Sequence, residues 1–209
     1  MERREVDELI ILDISATPNN RGPRFEEVKD LTENLFMPIT VGGGVKNVSD
    51  IRRLLANGAD KVAINTMALE RPEIVDEAAR RFGSQAVVVS IDVRSGRVVT
   101  ACGRRDTGRD PVDWATDVED RGAGEILLNS IDRDGMMDGY DIDLIREVSD
   151  AVDIPVIACG GCGSYEHIAA VLKETKAHAV GVGAAFQFMD LTPKGASRYL
   201  HEQGFQTRL

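Results

Sequence analysis

The sequence predicts an α/β fold built on a parallel sheet, and three features predict it. Continuous β-branched runs recur along the chain, each followed by a segment of helical period. Aromatic residues make up only 5% of the 209 residues while glycine is frequent at 20, which suits tight passages from strand to loop better than a sandwich. No long linker or low-complexity stretch interrupts the alternation, and 43% hydrophobic content supports one substantial core, so residues 1–209 are expected to form a single domain.

In chain order, ELIILDIS (8–15) precedes the helical pattern FEEVKDLTENL (25–35), and MPITVGGG (37–44) precedes VSDIRRLLANG (48–58). KVAINT (61–66) leads into PEIVDEAARRFG (72–83). AVVVSIDV (86–93) is followed by a short second run, GRVVTACG (96–103), with Ser-Gly at the turn of a small hairpin, and then by DPVDWATDVEDRG (110–122). EILLNSID (125–132) precedes DLIREVSDAV (143–152), IPVIACGG (154–161) precedes YEHIAAVLKET (165–175), and HAVGVGAAF (178–186) is the last strand expected.

A repeat lies beneath this order. Gly43 is as far from Thr66 as Gly161 is from Ala184, and each glycine cluster follows a strand with a polar tip, LDIS (12–15) or LLNSID (127–132). Two such halves predict a (β/α)8 TIM barrel. Eight strands are needed and seven are counted. The further strand is expected before ELIILDIS, where MERREVDEL leaves room only for a helix end, so the expectation is a barrel truncated to seven strands.

The bulk numbers narrow the partners. A formal charge of −10 and no basic stripe argue against nucleic acid or an anionic membrane. No signal peptide or long apolar run is found, so a cytoplasmic location is expected. Three cysteines give no disulfide framework. CGGC (159–162) has the spacing of a redox or metal pair, but no second pair or nearby histidine accompanies it; neither a metal nor a cofactor is expected.

Barrel sites collect at the C-terminal ends of strands. Those ends carry Asp13 and Ser15, Gly43 and Gly44, Asn65 and Thr66, Asp92, then Asn129, Ser130, Asp132, Asp134 and Gly135, then Gly160 and Gly161, and finally Gly183 and Ala184. Glycines before a helix admit anions to backbone amides, so the two clusters suggest two phosphates on one elongated ligand; relief of crowding at barrel corners is the plainer alternative. Asp92, beyond the most apolar run, is a candidate acid/base, against the alternative of a carboxylate that orients a loop. Asp13 has the same two readings, and turn capping explains at least one of Asp132 and Asp134. At the opposite ends Glu8, Lys61 and Glu125 each open a strand; such charges suit stability, a narrow central passage or a docked partner.

These motifs (LDIS, PITVGGG, GADKVAINT, FGSQAVVVSID, GAGEILLNSIDRDG, GYD and IPVIACGG) resemble the cyclase (synthase) subunit of imidazole glycerol phosphate synthase over essentially the whole chain. The resemblance implies an eight-stranded barrel that receives ammonia from a glutaminase subunit. The ammonia would join a bisphosphorylated ribulosyl-formimino aminoimidazole carboxamide nucleotide to give imidazole glycerol phosphate and aminoimidazole carboxamide ribotide. It implies that Asp92 is one of two catalytic aspartates, the other lying on a strand before residue 1 together with a gate arginine. Gly44 and its neighbours, Asn65, Thr66, Gly135, Gly161 and Ala184 fall at phosphate-contacting positions, with Asp13 and Ser130 in the same pocket. Glu8, Lys61 and Glu125 match an ammonia gate, and Asp60 a glutaminase-facing residue. Asn129 stands where the family has Thr, and Ala184 where it usually has Ser. PNNRGPRFEEV (18–28) and LLNSIDRDG resemble instead a paralogous branch thought to pass ammonia toward acetamidino-sugar synthesis in surface polysaccharide, whereas HEQGFQTRL resembles the histidine-pathway enzyme. A truncated barrel kept as an interaction scaffold is a third alternative.

Overall fold

The computed structural model describes residues 6–33 and 35–207. Seven parallel strands form one path: β1 (Leu9–Leu12), β2 (Ile39–Gly42), β3 (Lys61–Ile64), β4 (Val87–Arg94), then β7 (Glu125–Ser130), β8 (Val156–Cys159) and β9 (Ala179–Val180). Two antiparallel strands, β5 (Arg97–Thr100) and β6 (Arg105–Asp106), branch from β4. Ser95 and Gly96 turn the first hairpin with φ of 50° and 71°, the left-handed pair that a tight two-residue turn requires. The hairpin is the one read from Ser-Gly; the additional pairing of β6 is not legible in GRRDTG.

Helices α1 (Phe25–Thr32), α2 (Val48–Ala56), α4 (Glu73–Phe82), α5 (Pro111–Asp120), α6 (Ile142–Ala151) and α7 (Tyr165–Glu174) follow the strands, with short helices α3 (Thr66–Glu70) and α8 (Ala184–Phe188). Their starts have local causes. Asn47, Asp110, Asp141 and Ser164 each accept a hydrogen bond from a first-turn amide, and Pro111 opens α5 with its φ preset. Gly83, at φ 88°, ends α4.

Two differences from the sequence reading stand out. HAVGVGAAF is strand only at Ala179–Val180, and Ala184 already begins α8; a short apolar run with glycines does not distinguish strand from helix. No element is expected beyond residue 186, yet Thr192 caps a further helix, α9 (Pro193–Glu202). The helix end expected in MERREVDEL falls largely on residues 1–5, which lie outside the described residues.

The sheet has two apolar faces of unequal size. The outer face packs Ile39, Ile64, Val89, Ile91, Ile126 and Leu128 against helix residues such as Ile51, Leu54, Ile74, Trp114 and Ile145. Each fully buried side chain of this size contributes about 1.5–3 kcal/mol relative to exposure. The inner face holds a separate small cluster, Ala63, Val88, Leu127 and Ile157, with Ile10 and Cys159 against it. Side chains alternate along a strand, so the inner cluster fixes what else points inward. Lys61 and Asn65 flank Ala63, Ser90 and Asp92 follow Val88, and Glu125 and Asn129 flank Leu127. Thr40, aligned with both Ile10 and Lys61, joins them.

Candidate functional site

The inward columns end in two polar tiers. At the C-terminal ends, Asp92 is aligned with Asn129 on β7 and Cys159 lies next along on β8. Asn65 Nδ2 donates to Asp92 Oδ2 at 2.9 Å, and Asn129 Nδ2 donates to Oδ1 at 3.4 Å. Asn65 occupies the N-cap position of α3, but its side chain makes no capping bond. Burial pushes the Asp92 carboxyl above the usual carboxylate range. The amides of Asn129 and Asn65 oppose that rise, and the charge of Asp134 adds to it. A carboxyl held in this way keeps its proton to a higher pH than an exposed one, which suits it to acid/base work.

At the N-terminal ends, Lys61 Nζ contacts Glu8 Oε2 at 3.0 Å and pairs with Glu125 Oε1. Burial disfavours the lysine charge, but the hydrogen bonds with Glu125 and Glu8 outweigh it and the pKa lies above its ordinary value. The structure thus joins the three charged strand openers into one cluster. Asp60 is exposed on the same side and accepts the Ile39 N–H at 2.8 Å, which ties β2 to the start of β3. Among the described residues, three oxygens on the inner face are buried without a hydrogen-bond partner: Glu125 Oε2, Thr40 Oγ1 and Asn65 Oδ1.

Asp13 does not join Asp92. Arg21 pairs with it at 2.8 Å, and the Ser15 amide and hydroxyl both donate to it. With Arg21 the leading cause and Ser15 next, its pKa falls to about 2. Of the two readings of Asp13, the loop-ordering one describes these contacts. Arg21 also donates to Ser15 Oγ, and Lys46 Nζ reaches Asn20 Oδ1 at 2.7 Å. Neither cation was a candidate from the sequence: both sit in irregular loops where no periodicity indicates what they meet. Asp132 accepts the Ser95 N–H at 2.6 Å and so pins the β4–β5 hairpin from the loop after β7; Asp134 is exposed beside it.

The glycine clusters lie beneath loops. A side chain on Gly43 would run into the Asp13 backbone, and one on Gly44 into Arg21 and Ala16. Equivalent contacts bind the second cluster: Gly160 lies against the Ser130 carbonyl, Gly161 against Gly139, and Gly163 against Met137. Close packing of loops is thus one reason for these glycines, as the corner reading anticipated. Gly135 is exposed at φ 77° with open space around it. Ser130 is buried, its hydroxyl 3.4 Å from Asp141. Thr66 Oγ1 accepts the Ala101 N–H, and Cys102 Sγ donates to the Ile14 carbonyl, so the β5–β6 turn reaches both the start of α3 and the loop after β1.

The repeat is present in three dimensions, shifted by one residue from the spacing read in sequence. Gly43 pairs with Gly160 rather than Gly161, since each packs on the backbone ending the preceding strand. Asn47 and Ser164 cap α2 and α7 with nearly the same backbone angles, and Asn65 and Gly183 enter α3 and α8 alike. The extra residue lies in α7, ten residues long against nine for α2.

CGGC forms no metal centre among the described residues. Burial pushes the Cys159 thiol up to about 12 and raises that of Cys162 as well, so both remain protonated. Tyr140, whose hydroxyl donates to the Gly181 carbonyl at 3.1 Å, is held neutral by burial beside them. No helix among the described residues is long and apolar enough to cross a membrane.

Fold and site together define a barrel-type α/β protein with a carboxylate held between two amides at its C-terminal strand ends. The chain belongs to the family described as histidine biosynthesis protein, whose model matches residues 1–192. Within that family it groups with imidazole glycerol phosphate synthase subunit HisF. It is 46% identical over 209 residues to the HisF subunit of Clostridium botulinum strain Okra, covering 97% of this chain and 83% of the relative. The subunit of strain Langeland is 45% identical with the same coverage.

Proposed function

We propose that this chain acts as the cyclase subunit of imidazole glycerol phosphate synthase, joining ammonia to the bisphosphorylated ribulosyl-formimino aminoimidazole carboxamide nucleotide. The observation that carries this reading is the stacking of two polar tiers on the same inward columns, Lys61 with Glu8 and Glu125 below and Asp92 with Asn65 and Asn129 above. Thr40 Oγ1, Asn65 Oδ1 and Glu125 Oε2, unpaired and buried, are acceptors suited to a small N–H donor moving between the tiers. A glutaminase partner would deliver ammonia at the face of Lys61 and Asp60. Asp92, with its raised pKa, would exchange protons with the attacking nitrogen and the departing oxygen during ring closure. Backbone amides near Gly43, Gly44, Thr66 and Gly135 would take one end of the nucleotide, and those near Gly160, Gly161, Gly183 and Ala184 the other.

The test is ammonium-dependent consumption of the nucleotide by the purified chain, without glutaminase. Turnover that falls at least about a hundredfold in Asp92→Asn supports the reading. A folded chain with no turnover refutes it, and an undiminished Asp92→Asn variant refutes the role of Asp92. Asn129 and the hydroxyl-free Ala184 favour a second reading, a paralogue conducting ammonia toward acetamidino-sugar synthesis, for which ammonia transfer to a partner would occur without nucleotide turnover.

A further inference from the structure

By its place at a strand end Asn129 is a candidate for the substrate pocket, but its contacts point elsewhere. It is the direct register partner of Asp92 across the parallel β4–β7 pair, so the two side chains stand side by side on the inner face at the spacing of adjacent strands, about 4.8 Å. Asn65 reaches Oδ2 from β3 while Asn129 reaches Oδ1 from β7, which gives each carboxylate oxygen its own amide donor. The far end of Asn129 is also fixed. A side chain on Gly160 would crowd Asn129 Oδ1 as well as the Ser130 carbonyl, so the bare Cα of Gly160 is what admits the amide in this orientation, oxygen toward β8 and nitrogen toward Asp92.

We propose that Asn129 is a positioning residue that holds the Asp92 carboxylate from the β7 side, seated on Gly160, rather than a contact for substrate. The proposal rests on the reading of Asp92 as the acid/base of the pocket. Asp134 from the loop after β7, Cys102 from the β5–β6 turn and Cys159 from β8 couple to the Asp92 charge, and none of them carries a positive charge. Arg94, two residues along β4, gives its guanidinium to the Gly103 carbonyl at 2.7 Å. The two amides are therefore the groups that oppose the cost of a buried charge and fix the plane of the carboxylate.

The experiment compares the whole chain with Asn129→Thr and Asn129→Val, which share a shape and differ in one hydroxyl donor. The carboxyl signal of Asp92 in carbon-13-labelled protein is titrated, and ammonium-dependent turnover is measured beside it. Asn129→Val is expected to raise the Asp92 midpoint and lower kcat about tenfold, the equivalent of one hydrogen bond to a charged group, with KM changed by less than about twofold. Asn129→Thr is expected to restore most of both. An Asp92 midpoint equal in wild type, Thr and Val variants overturns the inference, as does a rise in KM at constant kcat. Should the wild-type chain show no turnover, the cyclase reading falls while the carboxyl midpoint still decides the role of Asn129. Should Asn129→Val fail to fold, Asn129→Ser against Asn129→Ala makes the same comparison.

Discussion

Replacing Lys61 by methionine removes one charge and leaves the stem, and the cost of that change can be worked from the cluster. Lys61 is largely buried, as is Glu125, while Glu8 is about two-fifths exposed at its side chain. At about 3 Å and an effective dielectric near 20, each pair carries roughly 5 kcal/mol of gross attraction. Desolvation of the ammonium and of Glu125 cancels most of it, and the exposed Glu8 pair retains about 0.5 kcal/mol. The larger loss falls on Glu125. Its Oε2 already lacks a partner, and without Lys61 its Oε1 loses the pairing as well, beside Val88 and Leu127 on the inner face. We expect Lys61→Met to cost about 2 kcal/mol in urea unfolding at pH 7.

One control separates electrostatics from packing. Glu125→Gln introduced into Lys61→Met should recover about 1 kcal/mol, because the unpaired charge is then gone. A Lys61→Met variant within about 0.5 kcal/mol of wild type, or one that Glu125→Gln destabilises further, would refute the argument that this tier is a buried charge cluster rather than a solvated rim.

Three further outcomes follow from the site. Arg21→Ala should cost about 1 kcal/mol at neutral pH, the Asp13 shift discounted for its partial exposure. Because Asp13 has a lowered folded-state pKa, that contribution is complete above about 3.8 and is lost as the pH falls through about 2, so wild type and variant should converge there in acid unfolding. Gly135→Ala should cost about 1 kcal/mol, for positive φ alone, whereas Gly43→Ala, whose Cβ meets the Asp13 backbone, should cost more than about 3 kcal/mol; equal thermal shifts would contradict the packing. A thiol reagent at pH 8 should label Cys102 in the folded chain, with Cys159 and Cys162 reacting only on unfolding; early labelling of CGGC would return a reactive role to it.

The legibility of this chain depended on whether a side chain's role follows from its own strand. Asp92, Lys61 and Glu125 could be read because strand period fixes which way they point and continuous apolar runs fix where the strands begin and end. The strand path, seven parallel members with a hairpin after the fourth, could be read for the same reason. What Asp13 meets lay beyond such reasoning. Three residues past the inward Ile10, it is turned by strand period away from the face of Asp92, but only the fold of TPNNRG brings Arg21 onto it. The loops over Gly43 and Gly160–Gly163 were equally hidden, because a glycine reports that something comes close without saying what. The end of HAVGVGAAF failed for a third reason, an apolar run too short and too glycine-rich for its period to register.

The repeat itself decides a remaining question, whether Asn65 is needed for the turn into α3 or for Asp92. The equivalent position in the other half is Gly183, with φ and ψ of −110° and −82° against −126° and −85° for Asn65. These are negative φ values that other residues also adopt, and the second half achieves the same entry with no side chain, so the backbone does not call for an amide. Nor does Asn65 cap its helix. The same comparison sets Thr66 against Ala184, where the hydroxyl of Thr66 instead anchors the β5–β6 turn through Ala101. In the first half, then, the helix entry carries side chains directed at Asp92 and at the hairpin grown from the strand that bears it, and in the second half it carries backbone alone. Two entries of equal geometry thus serve the mouth of the barrel unequally, because Asp92 stands at the end of β4, beside β3 and far along the sheet from β9.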